Sequence, residues 1–164
     1  MVYARTKLMM EDDLLRPSPV VNIHFTGKHP DRFYKEIPNM IRTFFRVPSQ
    51  SIQEKRFEWH KGEPEKFSMA WEVDKDLDKF SYLWIEVKLK GHISKTEGEV
   101  EISVEGSVRT EYSQDTMWQK SLLYEIMRMF WHSTFYSSKR HEYVIDGRRM
   151  MANFVHALKT MTGV

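Results

Sequence analysis

The chain has no cysteine in 164 residues, which excludes a disulfide framework, a thiolate metal site and a cysteine nucleophile. Long hydrophobic runs are missing too. No window approaches the 18 or more apolar residues of a membrane span, and the opening Met1-Val2-Tyr3-Ala4-Arg5-Thr6-Lys7 holds no run of signal-peptide length. Together these absences lead to the expectation of a cytoplasmic protein without a membrane span. No internal repeat or low-complexity segment appears, and neither sign of charge dominates, the net charge being only +2. The distribution is uneven, however: residues 1–50 carry 8 Lys/Arg against 5 Asp/Glu, residues 51–114 carry 10 against 14, and residues 115–164 carry 7 against 4. An acidic middle between basic ends fits a solvated sheet face flanked by mildly basic helices, or an anionic partner on the helical side.

What is present is enough for one domain, long enough to bury roughly two-thirds of the surface its unfolded form exposes. Residues 1–19 mix charged and apolar side chains and end in Arg16-Pro17-Ser18-Pro19, which disfavours helix. We expect an N-terminal arm there, with one helical turn around Leu8–Leu15, and a single domain over 20–164. Val20–Thr26 alternates as a strand. Pro30 and Asp31 open a helix over 31–47 that Pro38 should split or kink, with Phe33, Ile37, Met40, Ile41 and Phe44 as its buried stripe.

From 52 to 112 apolar residues alternate through four strands. A turn centred on Glu63 sets Trp59 opposite Phe67 and Phe57 opposite Met69. A second, centred on Leu77, sets Trp71 opposite Leu83 and Met69 opposite Ile85. A third, over 94–97, sets Leu89 opposite Ile102 and Val87 opposite Val104. All three put apolar on apolar, which specifies a meander with one buried face. With Ser113 or Asp115 as cap, residues 116–135 read as a long helix without internal Gly or Pro, whose row of Trp118, Leu122, Ile126, Met129 and Phe130 is widened by Leu123, Met127 and Trp131. Residues 137–140 read as a break, and a last helix from about Gly147 carries Met151, Phe154, Val155, Leu158 and Met161. The fold class is therefore α+β: a curved antiparallel sheet of about five strands, in the order β-α-α-β-β-β-β-α-α, packed on a long C-terminal helix.

Candidate sites are few. His24, His60 and His92 share the polar face, but the second turn places His60 level with Lys88, leaving His92 roughly 13 Å further along. Ligand nitrogens must lie within about 2.1 Å of a zinc ion, so no metal site and no cofactor are expected. The carboxylates of an open sheet face lack the burial that acid–base catalysis needs, and no phosphate loop, nucleophile elbow or HExxH is present, so no catalytic residues are assigned. Lys139, Arg140, Arg148 and Arg149 bracket the expected break, near His132 and His141, with Tyr136 and Tyr143 as stacking groups; basic plus aromatic is the composition of nucleic-acid sites. Between sheet and long helix, Trp59, Met69, Trp71, Ile85, Val87, Trp118, Met127 and Phe130 should converge, either as the lining of a cavity or as a filled core.

The order strand (20–26), two short helices split at Pro38, meander (52–112) and long helix (116–135) resembles the helix-grip superfamily of START-domain and birch-pollen-allergen-like proteins. The resemblance implies an apolar ligand held between sheet and helix. Two departures are visible: the meander has four strands where fuller members have six, and the helix after 147 is extra. The resulting expectation is a non-enzymatic binding module that holds an apolar small molecule or a partner helix. The rival is an RNA or ribonucleoprotein-associated protein using the basic C-terminal residues.

Overall fold

Strand pairing organises the molecule. The computed structural model describes residues 9–163 apart from 96, 113 and 115. Its strands are β1 (Met9–Asp13), β2 (Val20–Lys28), β3 (Ile52–His60), β4 (Glu65–Asp76), β5 (Ser81–Ser94) and β6 (Glu97–Glu111), with helices α1 (Arg32–Phe45), α2 (Leu122–Trp131) and α3 (Ser137–Thr162). All pairings are antiparallel, in the order β1-β6-β5-β4-β3, and β2 also pairs with β6. β1 lies along Ser107–Glu111 and β2 along Glu97–Glu105, so the two occupy one edge of β6 in tandem. Met9–Asp13 is thus a strand and not the expected helical turn; Leu8 lies outside the described residues. Leu14 and Leu15, which follow it, enter the core.

The first and third hairpins have the expected registers, Trp59 facing Phe67 and Leu89 facing Ile102. The second does not. Trp71 faces Val87 and Met69 faces Leu89, a slip of four residues from the expected partners Leu83 and Ile85. An even slip keeps every side chain on its face, so alternation cannot detect it. The turn chemistry decides it: Asp78 Oδ1 accepts the backbone N–H of Phe80 at 2.8 Å and of Ser81 at 2.9 Å, closing the loop at residues 77–80. With this register His60, Lys66 and His92 share one row, so the expected 13 Å offset between the two histidines is corrected to two strand spacings, about 10 Å. His24 pairs with Glu101 on the far side of β6. Among the described residues no three His, Asp or Glu side chains come together as a metal-ligand set.

One face of the sheet is apolar, through Ile23, Phe67, Met69, Trp71, Val73, Leu83, Ile85, Val87, Leu89, Val100, Ile102, Val104 and Val108. α1 covers it with Phe33, Ile37, Ile41 and Phe45, and α3 with Val144, Met151, Phe154 and Leu158. α1 runs through Pro38 as one helix instead of two. From 122 to 162 the chain is helical throughout, so the break expected at 137–140 is absent, and a π-helical turn, His132–Tyr136, joins α2 to α3. Gly147 does not begin a helix. It lies buried in mid-α3, where an added Cβ would stand 2.9 Å from Leu14 Cδ2, and its missing side chain lets the helix seat against Leu14 and Leu83.

Phe154 is fully buried, its ring 5.1 Å from that of Phe45 and 5.9 Å from that of Phe44. Phe154→Ala should lower unfolding free energy by about 3–5 kcal/mol in denaturant titration, because the cavity lies where two helices and the sheet meet.

Candidate functional site

The segment from Tyr112 to Tyr143 holds the molecule's unusual features, and they begin with how α2 is oriented. Ser121 caps it, Oγ accepting the Tyr124 N–H at 3.2 Å, so the helix starts at Leu122 and not at 116; the caps expected at Ser113 or Asp115 lie outside the described residues. Its polar stripe turns inward. Tyr124 and Glu125 are half-buried and Arg128 is buried, donating from Nη2 to Glu125 at 2.7 Å with its guanidinium 5.4 Å from the Tyr112 ring centre. Gln114 donates to the other Glu125 oxygen at 2.9 Å. The apolar stripe turns outward: Leu122, Leu123, Ile126, Met127, Met129 and Phe130 are each 53–64 % exposed. Ordinary surface helices have the reverse arrangement.

The π-helical turn anchors this helix to the body. Its i→i+5 bond, from the Ser137 N–H to the His132 carbonyl, sets residues five apart beside each other, and Trp131 stacks on Tyr136 at 5.1 Å. Phe80 meets Tyr112, Trp131 and Tyr136 at 5.4–5.9 Å. Below these rings is a polar network. The Tyr136 hydroxyl lies 2.6 Å from Ser81 Oγ and 2.9 Å from both Asp78 oxygens, the Tyr143 hydroxyl donates to Asp78 at 3.1 Å, and Lys139 Nζ is 3.3 Å away. Burial by itself would raise the Asp78 carboxyl, but the Phe80 and Ser81 N–H groups and the two tyrosine hydroxyls outweigh it and hold it below the usual carboxylate range. Burial and the same carboxylate push the Tyr136 phenol up. Nδ1 of His132 hydrogen-bonds the Tyr112 hydroxyl, and burial, followed by the positive Arg140 and Arg128, holds that imidazole below its ordinary value.

The expected site residues divide into two groups. Met69, Trp71, Ile85 and Val87 are fully buried under α1 and α3, while Trp59 is half-buried, stacked on Phe67 with Nε1 donating to Glu65. Trp118, Met127 and Phe130 are exposed on or before α2 and do not join them. The two C-terminal stripes have exchanged roles: the one on α3 covers the sheet, and the one on α2 does not. The basic residues are largely engaged by carboxylates or carbonyls. Arg140 pairs with Asp12 and donates from Nε to Thr110 Oγ1 at 3.1 Å, Arg149 lies 3.6 Å from Asp146, and Arg148 Nη2 reaches the Asp13 carbonyl at 3.4 Å. Tyr136 and Tyr143 point their hydroxyls at Asp78 and do not stand out as stacking platforms. In the sequence Asp78 is signalled only by its place three residues before Ser81 in a strand-to-strand turn, the local sign of such a cap.

At the level of topology the curved sheet and long C-terminal helix agree with a helix-grip-like fold, and aromatic and apolar side chains line the seam between them as in a ligand- or partner-binding module. No protein-family model matches the sequence, and no curated protein matches it. No helix among the described residues is long and apolar enough to cross a membrane.

Asp78→Asn should cost about 1–3 kcal/mol near neutral pH, since four hydrogen bonds lose a charged acceptor. A carboxyl depressed in the folded state contributes stability that is present above its unfolded value of about 3.9 and is lost as pH falls through the lower folded value. Denaturant titrations from pH 7 to pH 2 should therefore show wild type and variant converging below about pH 4; a constant gap would place the cost elsewhere.

Proposed function

We propose that this protein is a non-enzymatic binding module whose work is done on the outward apolar face of α2, and that the partner seated there is a second copy of the chain. The observation that carries the reading is the inversion of α2: its charged residues are folded against the protein and its large apolar ones are left in water. With Met117, Trp118 and Phe135, also more than half exposed, the face amounts to on the order of 1,000 Å², against roughly 800 Å² per partner in a stable interface and a few hundred for the largest patch of a typical monomer. An apolar face of this extent has the character of an obligate interface.

Two points favour a second copy over other occupants. The only charges on α2, Glu125 and Arg128, are paired with each other and turned inward, so the surface is electrically neutral and meets itself across a twofold axis without like-charge repulsion. The same neutrality disfavours an anionic lipid surface, which selects helices with Lys and Arg beside the apolar face. A partner helix is thus the occupant, held on α2 and not between α2 and the sheet. The interior beneath α1 and α3 is filled by core side chains, which counts against an apolar small molecule there.

Light scattering on a sizing column should give twice the monomer mass at micromolar concentration. Ile126→Glu with Phe130→Glu should give a monomer with an unchanged far-ultraviolet spectrum, because both side chains lie outside the folded core. A wild-type monomer would overturn the second copy as occupant, and a monomer that sediments with phosphatidylcholine vesicles would assign the face to lipid instead.

A further inference from the structure

Behind α2, between β1 and the first turns of α3, lies a recess of about 210 Å³ lined by Asp12, Arg16, His132, Arg140, His141 and Arg148, with Ser137 and Val144 completing its wall. Three arginines and two histidines thus line a volume whose lining includes one acidic residue. That carboxylate is already taken: Asp12 pairs with Arg140, whose side chain is 14 % exposed and further fixed by the Thr110 hydroxyl. Arg16 has no carboxylate partner among the described residues. Arg148 reaches only the Asp13 carbonyl, and its Nε is buried without an acceptor, a costly state for a charged donor. The recess therefore carries two positive charges without a carboxylate partner among the described residues, the exposed Arg16 and the half-buried Arg148. His132, held by the hydrogen bond between its Nδ1 and the Tyr112 hydroxyl, lines the recess beside them.

We infer that this recess is a binding site for a small dianionic oxyanion of the phosphate-monoester class, gripped by Arg16, Arg140 and Arg148. Planar guanidinium forks match the oxygens of a phosphoryl group pairwise, and a dianion balances the two open charges where a carboxylate would leave one. Size restricts the ligand further. A drug-sized ligand needs roughly 300 Å³ or more, so the recess admits a phosphoryl head and a short stem but not an enclosed nucleobase. The site is separate from the outward face of α2 and does not depend on what covers that face. It also differs from an extended nucleic-acid surface, since Lys139 is directed at Asp78 and Arg149 lies outside the recess.

Calorimetric titration of the full chain with inorganic phosphate and with glycerol 3-phosphate, at constant ionic strength, tests the assignment. Both should bind, whereas acetate at the same ionic strength should not. Arg148→Gln and Arg16→Gln should each weaken phosphate by about tenfold, and Arg149→Gln should leave it unchanged. These three sites avoid the Asp12–Arg140 pair, so folding is preserved, and circular dichroism checks it. A 5′-phosphorylated RNA oligonucleotide that binds more tightly than its 5′-hydroxyl twin would assign the monoester to a nucleic-acid end, and tighter glycerol 3-phosphate would assign it to a small metabolite. No response to phosphate beyond that to acetate overturns the site. So does equal binding of the two oligonucleotides with Arg149→Gln as damaging as Arg148→Gln.

Discussion

The closure of α1 and α3 over the single apolar face of the sheet is the constraint on which the rest depends. Phe33, Ile37, Ile41 and Phe45 come from one helix, Met151, Phe154 and Leu158 from the other, and between them Trp71, Ile85, Val87 and Leu89 are fully covered. α3 reaches the sheet because Gly147 presents no side chain to Leu14 and Leu83. This layer already covers most of the apolar face of the sheet among the described residues. α2 has to attach by its polar stripe, through Arg128 over Tyr112 and Glu125 to Gln114, and its large apolar residues face outward.

That attachment needs a junction that can turn the helix without ending it. The π-helical turn at His132–Tyr136 does this, changing the phase of the helix so that Tyr136 plunges to Asp78 while Trp131 remains on the aromatic layer. Asp78 serves two structures at once. Its carboxylate accepts the backbone N–H groups of Phe80 and Ser81 that fix the β4–β5 turn, and its contacts with Tyr136, Tyr143 and Lys139 fix where α3 begins. Sheet register and helix placement are thereby coupled through one carboxylate. The recess behind the π-helical turn is a by-product of the same geometry, since β1 and α3 bring Asp12, Arg16, Arg140 and Arg148 together there.

Much of this was legible in the residues. The alternation from 52 to 112 identifies four strands and their buried face, and the turns at Glu63 and at 94–97 give the observed registers. Across the turn near Leu77 the expected and observed pairings differ by four residues, since a period of two cannot distinguish registers that differ by an even number. β1 was not legible: its five residues, Met9-Met10-Glu11-Asp12-Asp13, have no strand pattern, and it is held by ladder bonds to β6 and by Arg109 on Glu11 at 2.9 Å. Both apolar stripes of the C-terminal helices are legible, but not which of them meets the sheet: it is the one on α3. Nothing in 3.6-residue periodicity says which of two apolar faces finds a partner within its own chain.

By itself the sequence determined which residues could be buried, through parity in the strands and helical spacing after 116, and it excluded cysteine chemistry outright. These are local properties, carried by side-chain type and the geometry of a single element. Only the tertiary structure decided which stripe was buried, how β4 lies against β5, and that cations distant in sequence, Arg16 and Arg148, face one recess. Those outcomes depend on competition for a limited apolar surface and on contacts between distant segments. Neither is encoded in any one stretch of chain.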